Sequence, residues 1–190
     1  MELRPEGPLA GRLVRVEPLA ERHRDGLRAA AEANPEIHRF TGLGFLGFEG
    51  WFDEALASAN DVPFAVLVDG VEVGATRYLN FFPEHRRVEV GWTWLRRSAW
   101  GTGANVETKF LLLSRAFDDC GLQRVEFKTD ARNLRTRGSL LALGARFEGI
   151  FRKHMILPSG PRDSAWYAIT EDDWPAVKER LERRLDALRR

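Results

Sequence analysis

The chain has 190 residues, of which 44% are hydrophobic, 11% aromatic and 30% charged, a composition that builds a core and excludes disordered and fibrous classes. With 29 Lys and Arg against 28 Asp and Glu, the net charge of +1 offers no bulk field for nucleic acid or a membrane surface. One cysteine (Cys120) excludes an intrachain disulfide or a cysteine zinc site, the four histidines lack metal spacing, and no apolar run suits a signal peptide or membrane span, so one metal-free cytoplasmic domain over residues 1–190 is expected.

Alternation predicts a first strand over 11–17, ended by Pro18. A helix is expected over 19–33, broken by Asn34-Pro35. Residues 41–50, rich in Gly and Phe, read as a loop, and 51–58 as a short helix. Two β-rich runs, 64–68 and 71–78, flank Asp69-Gly70 and predict a tight hairpin. After a loop at 83–86 comes a strand over 87–95. A glycine-bearing loop follows, then a long amphipathic helix from Ala104 to Asp119, stopped by Gly121. A strand at 125–129, a helix at 133–143, strands at 145–157 and 164–169, and a final helix capped by Thr170 complete the order. Trp174, Val177, Leu181, Leu185 and Leu188 give that last helix its apolar stripe. The order implies a mixed α/β sheet with its binding site at the central strand–loop–helix step.

That step reads Trp94, Leu95, Arg96, Arg97, Ser98, Ala99, Trp100, Gly101, Thr102, Gly103, Ala104, Asn105, Val106. Glycines admit a tight turn, and the first amides of a helix lack internal acceptors at the positive end of its dipole. Phosphate suits such a place, with Thr102 and Asn105 as side-chain donors and Arg96 and Arg97 as neutralising charges. A tight loop that merely needs small residues is an equal reading. No Gly-Lys-Ser/Thr follows, so it is not a Walker loop, and the third glycine of a dinucleotide fingerprint is missing.

A strand ending in Trp-Leu, then W-G-x-G-A and a long helix, resembles the acyl-CoA loop of the GNAT acetyltransferase superfamily. Asn133-x-x-Thr136, followed by Leu143-Gly144-Ala145-x-Phe147-Glu148-Gly149, is similar to that superfamily's later block. The tail from Met155 to Tyr167 resembles the RimJ/RimL-like branch, which includes ribosomal-protein N-terminal acetyltransferases. The likeness spans about Gly11 to Thr170. It implies a GNAT fold, α+β or mixed α/β, whose mostly antiparallel twisted sheet splays at the cofactor site between flanking helices, with residues 171–190 as a C-terminal helix. Two departures stand out. Ser98 holds the loop position usually filled by Gln or Arg, with Arg97 one residue early. Leu140 stands where many relatives place a tyrosine acid, and neither Tyr78 nor Tyr167 falls in that frame.

The resemblance implies direct transfer of acetyl from acetyl-CoA to a primary amine, without a metal. It makes Glu89 the base. On residues alone, a carboxylate in an apolar strand is costly unless paired or useful, and a salt bridge to Arg77 or Arg87 is the competing reading. On an unbroken strand Glu89, Gly91 and Thr93 would share one face, and Val90, Trp92 and Trp94 the other. Thr136 is the implied thiolate contact, against bonding to its own backbone. Asn133 is expected to cap its helix and meet the cofactor. Arg132, Arg135 and Arg137 are expected near the nucleotide 3′-phosphate or simply in solvent. A backbone N–H near Trp94 or Leu95 is the implied oxyanion donor. Trp100 is expected to flank the loop, and Trp92 and Trp94 to lie in the core or against ligand. His38, Phe40 and Trp92 are placed at the acceptor, with Phe45 and Phe48 as further walls; a loop whose Phe40, Phe45 and Phe48 pack on the core is an equal reading. The acceptor expected is a protein N-terminal amine. A small amine such as an antibiotic or polyamine is the alternative, as is a non-catalytic acyl-CoA-binding module. A homodimer is left open.

Overall fold

The computed structural model describes residues 2–41 and 43–188, with the side chains of Ile37, Leu43 and Phe45 outside the described set. Strands β1 (Leu9–Ala10), β2 (Arg15–Pro18), β3 (Val62–Val68), β4 (Val71–Phe82), β5 (Arg87–Leu95), β6 (Arg124–Asp130), β7 (Arg146–Leu157) and β8 (Gly160–Thr170) form one sheet in the order β1-β2-β3-β4-β5-β6-β8-β7. Every neighbouring pair is antiparallel except β5–β6. Helices α1 (Arg24–Glu32), α2 (Leu43–Ala57), α3 (Ala104–Ser114), α4 (Leu134–Leu143) and α5 (Trp174–Ala187) flank it.

The β3–β4 hairpin forms as its turn chemistry requires. Asp69 (φ 50°) and Gly70 (φ 78°) are both left-handed, the geometry that matches strand twist in a two-residue loop. Two hydrophobic layers then sandwich the sheet. Val16, Phe64, Val88, Val90 and Phe127 pack with Leu112 and Leu113 of α3 and Leu181 of α5. Ala65, Leu67, Ala75 and Trp94 pack with Leu27 of α1 and Trp51 and Phe52 of α2.

The segment expected as a loop at 41–50 is instead mostly helical. α2 begins at Leu43 and runs through Gly47, whose φ of 71° kinks it. Its glycines argue for a loop, but Phe48, Trp51 and Phe52 stack against one another and against the layer beneath, and that packing overrides local propensity. The first strand is shorter than expected, with β2 beginning only at Arg15, and a 3₁₀ turn over Glu21–His23 precedes α1. The long helix runs as α3 to Ser114 and continues as a π-turn over Arg115–Asp119.

Two irregularities of β5 open the sheet. Its parallel pairing with β6 covers only Arg87–Glu89 against Arg124–Glu126, although both strands continue past it. On the other side Gly91 opposes Arg77 and Trp94 opposes Ala75, so Trp92 and Thr93 share Thr76. This is a β-bulge, with Trp92 at φ 51°. A bulky residue there costs about 1–3 kcal/mol, held by the surrounding fold. The extra residue overturns the expected alternation beyond Gly91. Thr93 reaches Lys109 of α3 on one face, while Trp92 and Trp94 join the α1–α2 layer on the other, the face that carries Glu89.

Candidate active site

The glycine turn sits where β5 has lost β6. Gly101 (φ 78°) and Gly103 (φ 94°) hold left-handed backbone, and a Cβ on Gly101 would meet nothing within 4 Å. Gly103 has less freedom, since a Cβ there would lie 2.5 Å from Leu188 and 2.9 Å from Leu13. Thr102 Oγ1 accepts from the Ala104 amide at 3.3 Å, and the Glu107 amide returns to the Gly103 carbonyl at 2.9 Å. The Asn105 and Val106 amides between them sit in the first turn, where no intrahelical acceptor exists. Trp100 ties the turn to the strand end through Nε1 to the Leu95 carbonyl at 2.8 Å. The guanidinium of Arg135 stacks on its ring, 3.0 Å from the centroid, with that of Arg97 at 5.4 Å. Arg96 Nε is buried without a partner.

α3 is aimed by a residue that sequence reading missed. Glu107, 4% exposed, accepts from the amides of Arg12, Leu13 and Val14 at 3.0, 2.6 and 2.8 Å. On the opposite wall, Asn133 Oδ1 caps α4 by accepting from the Thr136 amide at 3.1 Å. The Thr136 hydroxyl bonds to no described residue, so the back-bonding alternative does not occur. Asn105 Nδ2 reaches Ser139 Oγ at 3.5 Å, linking the starts of α3 and α4. Arg137 turns inward, donating to Tyr167 Oη and the Ala131 carbonyl, both at 3.0 Å, and Arg132 forks onto Asp130. Both are committed within the fold, while Arg135 faces the turn. Tyr78 is also committed, donating to the Leu112 carbonyl at 2.5 Å.

Glu89 lies at the last paired rung, where β5 and β6 part, and is 2% exposed. It pairs with neither Arg77 nor Arg87. Arg77 is held by Glu54 and Asp61, and Arg87 by Glu126. Instead Asn80 Nδ2 donates to Glu89 Oε2 at 2.9 Å, and Lys128 Nζ stands 3.4 Å from the same oxygen. Oε1 lies above Gly91, 3.2 Å from where a Cβ would be, and has no described partner. Burial raises the carboxyl above its ordinary range, against the pull of Lys128 and Asn80. Such a group is a stronger proton acceptor than an exposed carboxylate.

Trp92 lies beneath Arg77, whose guanidinium is 4.3 Å from its ring centroid. Phe40 is half-buried, with the guanidinium of Arg132 5.8 Å from its ring, and so bridges toward the end of β6. His38 does not line an open surface. It is 5% exposed, bonds the Ala31 carbonyl at 3.0 Å and meets the Trp94 ring edge-on. Burial holds it below the usual histidine range, hence neutral. Trp94 (4%) and Leu95 (5%) are core side chains, so only their main chains face the gap. Phe48 packs on Trp51 and Phe52, and the Phe45 side chain lies outside the described residues. Among the described residues there is no cluster of three or more His, Cys, Asp or Glu able to hold a metal. No helix among them is long and apolar enough to cross a membrane.

A gap between splayed strands, floored by β5 and edged by free helix amides, matches known proteins. A family model described as an acetyltransferase (GNAT) domain covers residues 14–146. A protein from T. thermophilus classed as an acetyltransferase is 37% identical, with a TM-score of 0.88 over 97% of this chain and 100% of that one. A GCN5-related N-acetyltransferase from Brucella melitensis is 30% identical, with a TM-score of 0.87 over 95% and 86%. RimL, a ribosomal L7/L12 alpha-N-protein acetyltransferase solved with coenzyme A, shares the fold alone, at 14% identity and a TM-score of 0.75 over 87% and 99%. No curated protein matches the sequence. The bulged, splayed sheet and the family match together place the chain in the GNAT family, as an acetyl-CoA-dependent acetyltransferase.

Proposed function

We propose that the enzyme transfers acetyl directly to the α-amine of a protein N-terminus, with Glu89 as the base. The carrying observation is Glu89 itself, buried at the mouth of the gap with one oxygen held and the other unpartnered. An α-amine has a pKa of roughly 7.7–8.0, within reach of a carboxylate whose own pKa burial has raised. A lysine amine at about 10.4 would need more help.

The residues present fit acetyl-CoA. The open Cβ position at Gly101, the Asn105 and Val106 amides and the orphaned Arg96 Nε suit its diphosphate. Trp100, with Arg135 on its ring, walls the same turn. When bound, acetyl-CoA supplies an acetyl group activated as a thioester. Main-chain groups of β5 past Glu89 that lack a β6 partner are placed to orient that group. Thr136, with its hydroxyl unspent, is the residue we assign to the departing sulfur. It stabilises charge there and does not serve as an acid. Lys128, 3.4 Å from Oε2, opposes the upward pull of burial on the Glu89 carboxyl. The L7/L12 α-N activity belongs to RimL and supports the acceptor class only by likeness of fold.

Thiol release measured over N-terminal peptides, Nα-blocked lysine peptides and small amines tests the reading. Acetyl on the N-terminal nitrogen is expected, located by mass spectrometry. A preference for polyamines or antibiotics, or for lysine Nζ, overturns the acceptor assignment.

A further inference from the structure

On the Glu89 face, one buried cation pairs with none of the described residues. Arg162 of β8 is 9% exposed, and its guanidinium makes no hydrogen bond or ion pair to any described residue. Its Nε is buried without a partner. A buried guanidinium ordinarily finds a carboxylate or carbonyl, because leaving water uncompensated is costly. The obvious protein partner is unavailable, since Asp130 is taken by a two-pronged contact from Arg132 at 2.7 and 2.9 Å.

Strand register places Arg162 just past the end of β6, opposite Met155 of β7. Asp130 opposes Ser164 and Lys128 opposes Trp166. Arg162 is two residues from Ser164 and so lies on the same face as Trp166 and Lys128. Lys128 Nζ in turn stands 5.2 Å from the Trp166 ring centroid and 3.4 Å from Glu89. Glu89 and Asp130 both act electrostatically on Arg162, without contacting it. Desolvation, together with the like charge of Arg132, lowers it from the ordinary arginine value despite those two carboxylates. His154, bonded to Ser164, is kept neutral by burial and by these two cations. The site therefore pairs a base for an amine with a planar fork that no described side chain engages, the group best suited to a carboxylate.

We infer that the acceptor is an amine that also carries a carboxylate, and that Arg162 binds that carboxylate while Glu89 receives the amine. This rests on the proposed acetyl transfer to an amine. In a peptide the carboxylate is an Asp or Glu side chain at or next to the N-terminus. In a free amino acid it is the α-carboxylate.

The experiment compares acceptor peptides of identical length beginning Ser-Glu and Ser-Gln, together with free serine, on the wild-type enzyme and on Arg162→Gln and Arg162→Lys. We expect the wild type to prefer Ser-Glu by roughly tenfold to a hundredfold in kcat/KM, the range of one charge-assisted hydrogen-bonded contact. Arg162→Gln should bring that ratio close to one by raising KM for Ser-Glu, with Ser-Gln kinetics and the acetyl-CoA Kd unchanged. Arg162→Lys should restore part of the ratio. Free serine outcompeting both peptides would uphold Arg162 and move the carboxylate to a small molecule. Equal use of Ser-Glu and Ser-Gln by the wild type, or equal loss on both in Arg162→Gln, overturns the inference while leaving acetyl transfer intact. Binding of the acetylated peptides, followed by tryptophan fluorescence, reads the same preference without turnover. If binding discriminates but no amine is acetylated, the transfer reading fails and the carboxylate site stands. If binding does not discriminate, the site fails.

Discussion

The two faces of β5 each bury an ionisable side chain, and they treat it in opposite ways. Glu89, 2% exposed, is raised by burial but keeps a cation and an amide as partners and one unpartnered oxygen over Gly91. Lys109, 6% exposed on α3, meets only hydroxyls: Thr93 Oγ1 at 2.6 Å and Thr76 Oγ1 at 3.4 Å. With no carboxylate beside it, burial pulls its amine down to about 7. The bulge at Trp92 makes the contrast, because it turns Thr93 toward α3 while Trp92 and Trp94 stay with Glu89. Burial with a counter-charge leaves a group able to cycle a proton. Burial without one favours the neutral form and lowers stability.

The largest expected effect breaks the Glu89 side. Glu89→Gln should lower kcat/KM by about 10²–10⁴ while calorimetry shows the same acetyl-CoA affinity. Turnover near wild type would remove Glu89 from the chemistry. Next comes Lys109→Met, which leaves Thr76 and Thr93 bonded to each other at 2.8 Å. Unfolded, Lys109 titrates near 10.5, and folded near 7, so between those values the unfolded chain binds the extra proton. Its contribution therefore penalises the fold most below pH 7 and fades as pH rises toward 10.5. Denaturant unfolding should show the variant more stable by on the order of a few kcal/mol at about pH 6, with the gain vanishing near about pH 10. A gain independent of pH would mean that packing, not charge, is responsible.

Lys128→Met sharpens the other side of the comparison. Removing the cation lets burial push Glu89 higher, so the acid limb of the kcat/KM profile should move up by about one pH unit. A limb that stays put would assign the titration to another group. The smallest effect is expected from Thr93→Val, which strips Lys109 of its short bond and should cost about 1 kcal/mol in thermal or denaturant unfolding, without altering Glu89 kinetics.

Much of the fold was readable because it is local. Asp69-Gly70 specifies its hairpin, the glycine turn and α3 follow from helix-start chemistry, and the stripe from Trp174 to Leu185 is buried along α5 as its spacing requires. Asn133 was legible as a cap for the same reason. What escaped depends on residues distant in the chain. A bulge adds one residue to a strand without a sequence mark beyond Gly91, so parity past it inverts unseen. Asn80 and Lys128 lie 9 and 39 positions from Glu89 and meet it only once β4 and β6 flank β5, which is why Arg77 and Arg87 looked like better partners. Lys109 falls within a helix that reads as amphipathic, and nothing local says that its amine points inward. α2 hid behind its glycines, whose helical cost is offset by aromatic stacking.

The three amides of Arg12, Leu13 and Val14 on Glu107 carry a practical lesson for anyone trimming or tagging this enzyme. Shortening the leading segment past Gly11 would strand an interior carboxylate on the very helix whose opening turn we assign to the coenzyme. A clipped variant is then expected to lose acetyl-CoA affinity by loosening the first turn of α3, and a fusion partner is better attached ahead of Leu3, itself a core residue, than spliced into the turn.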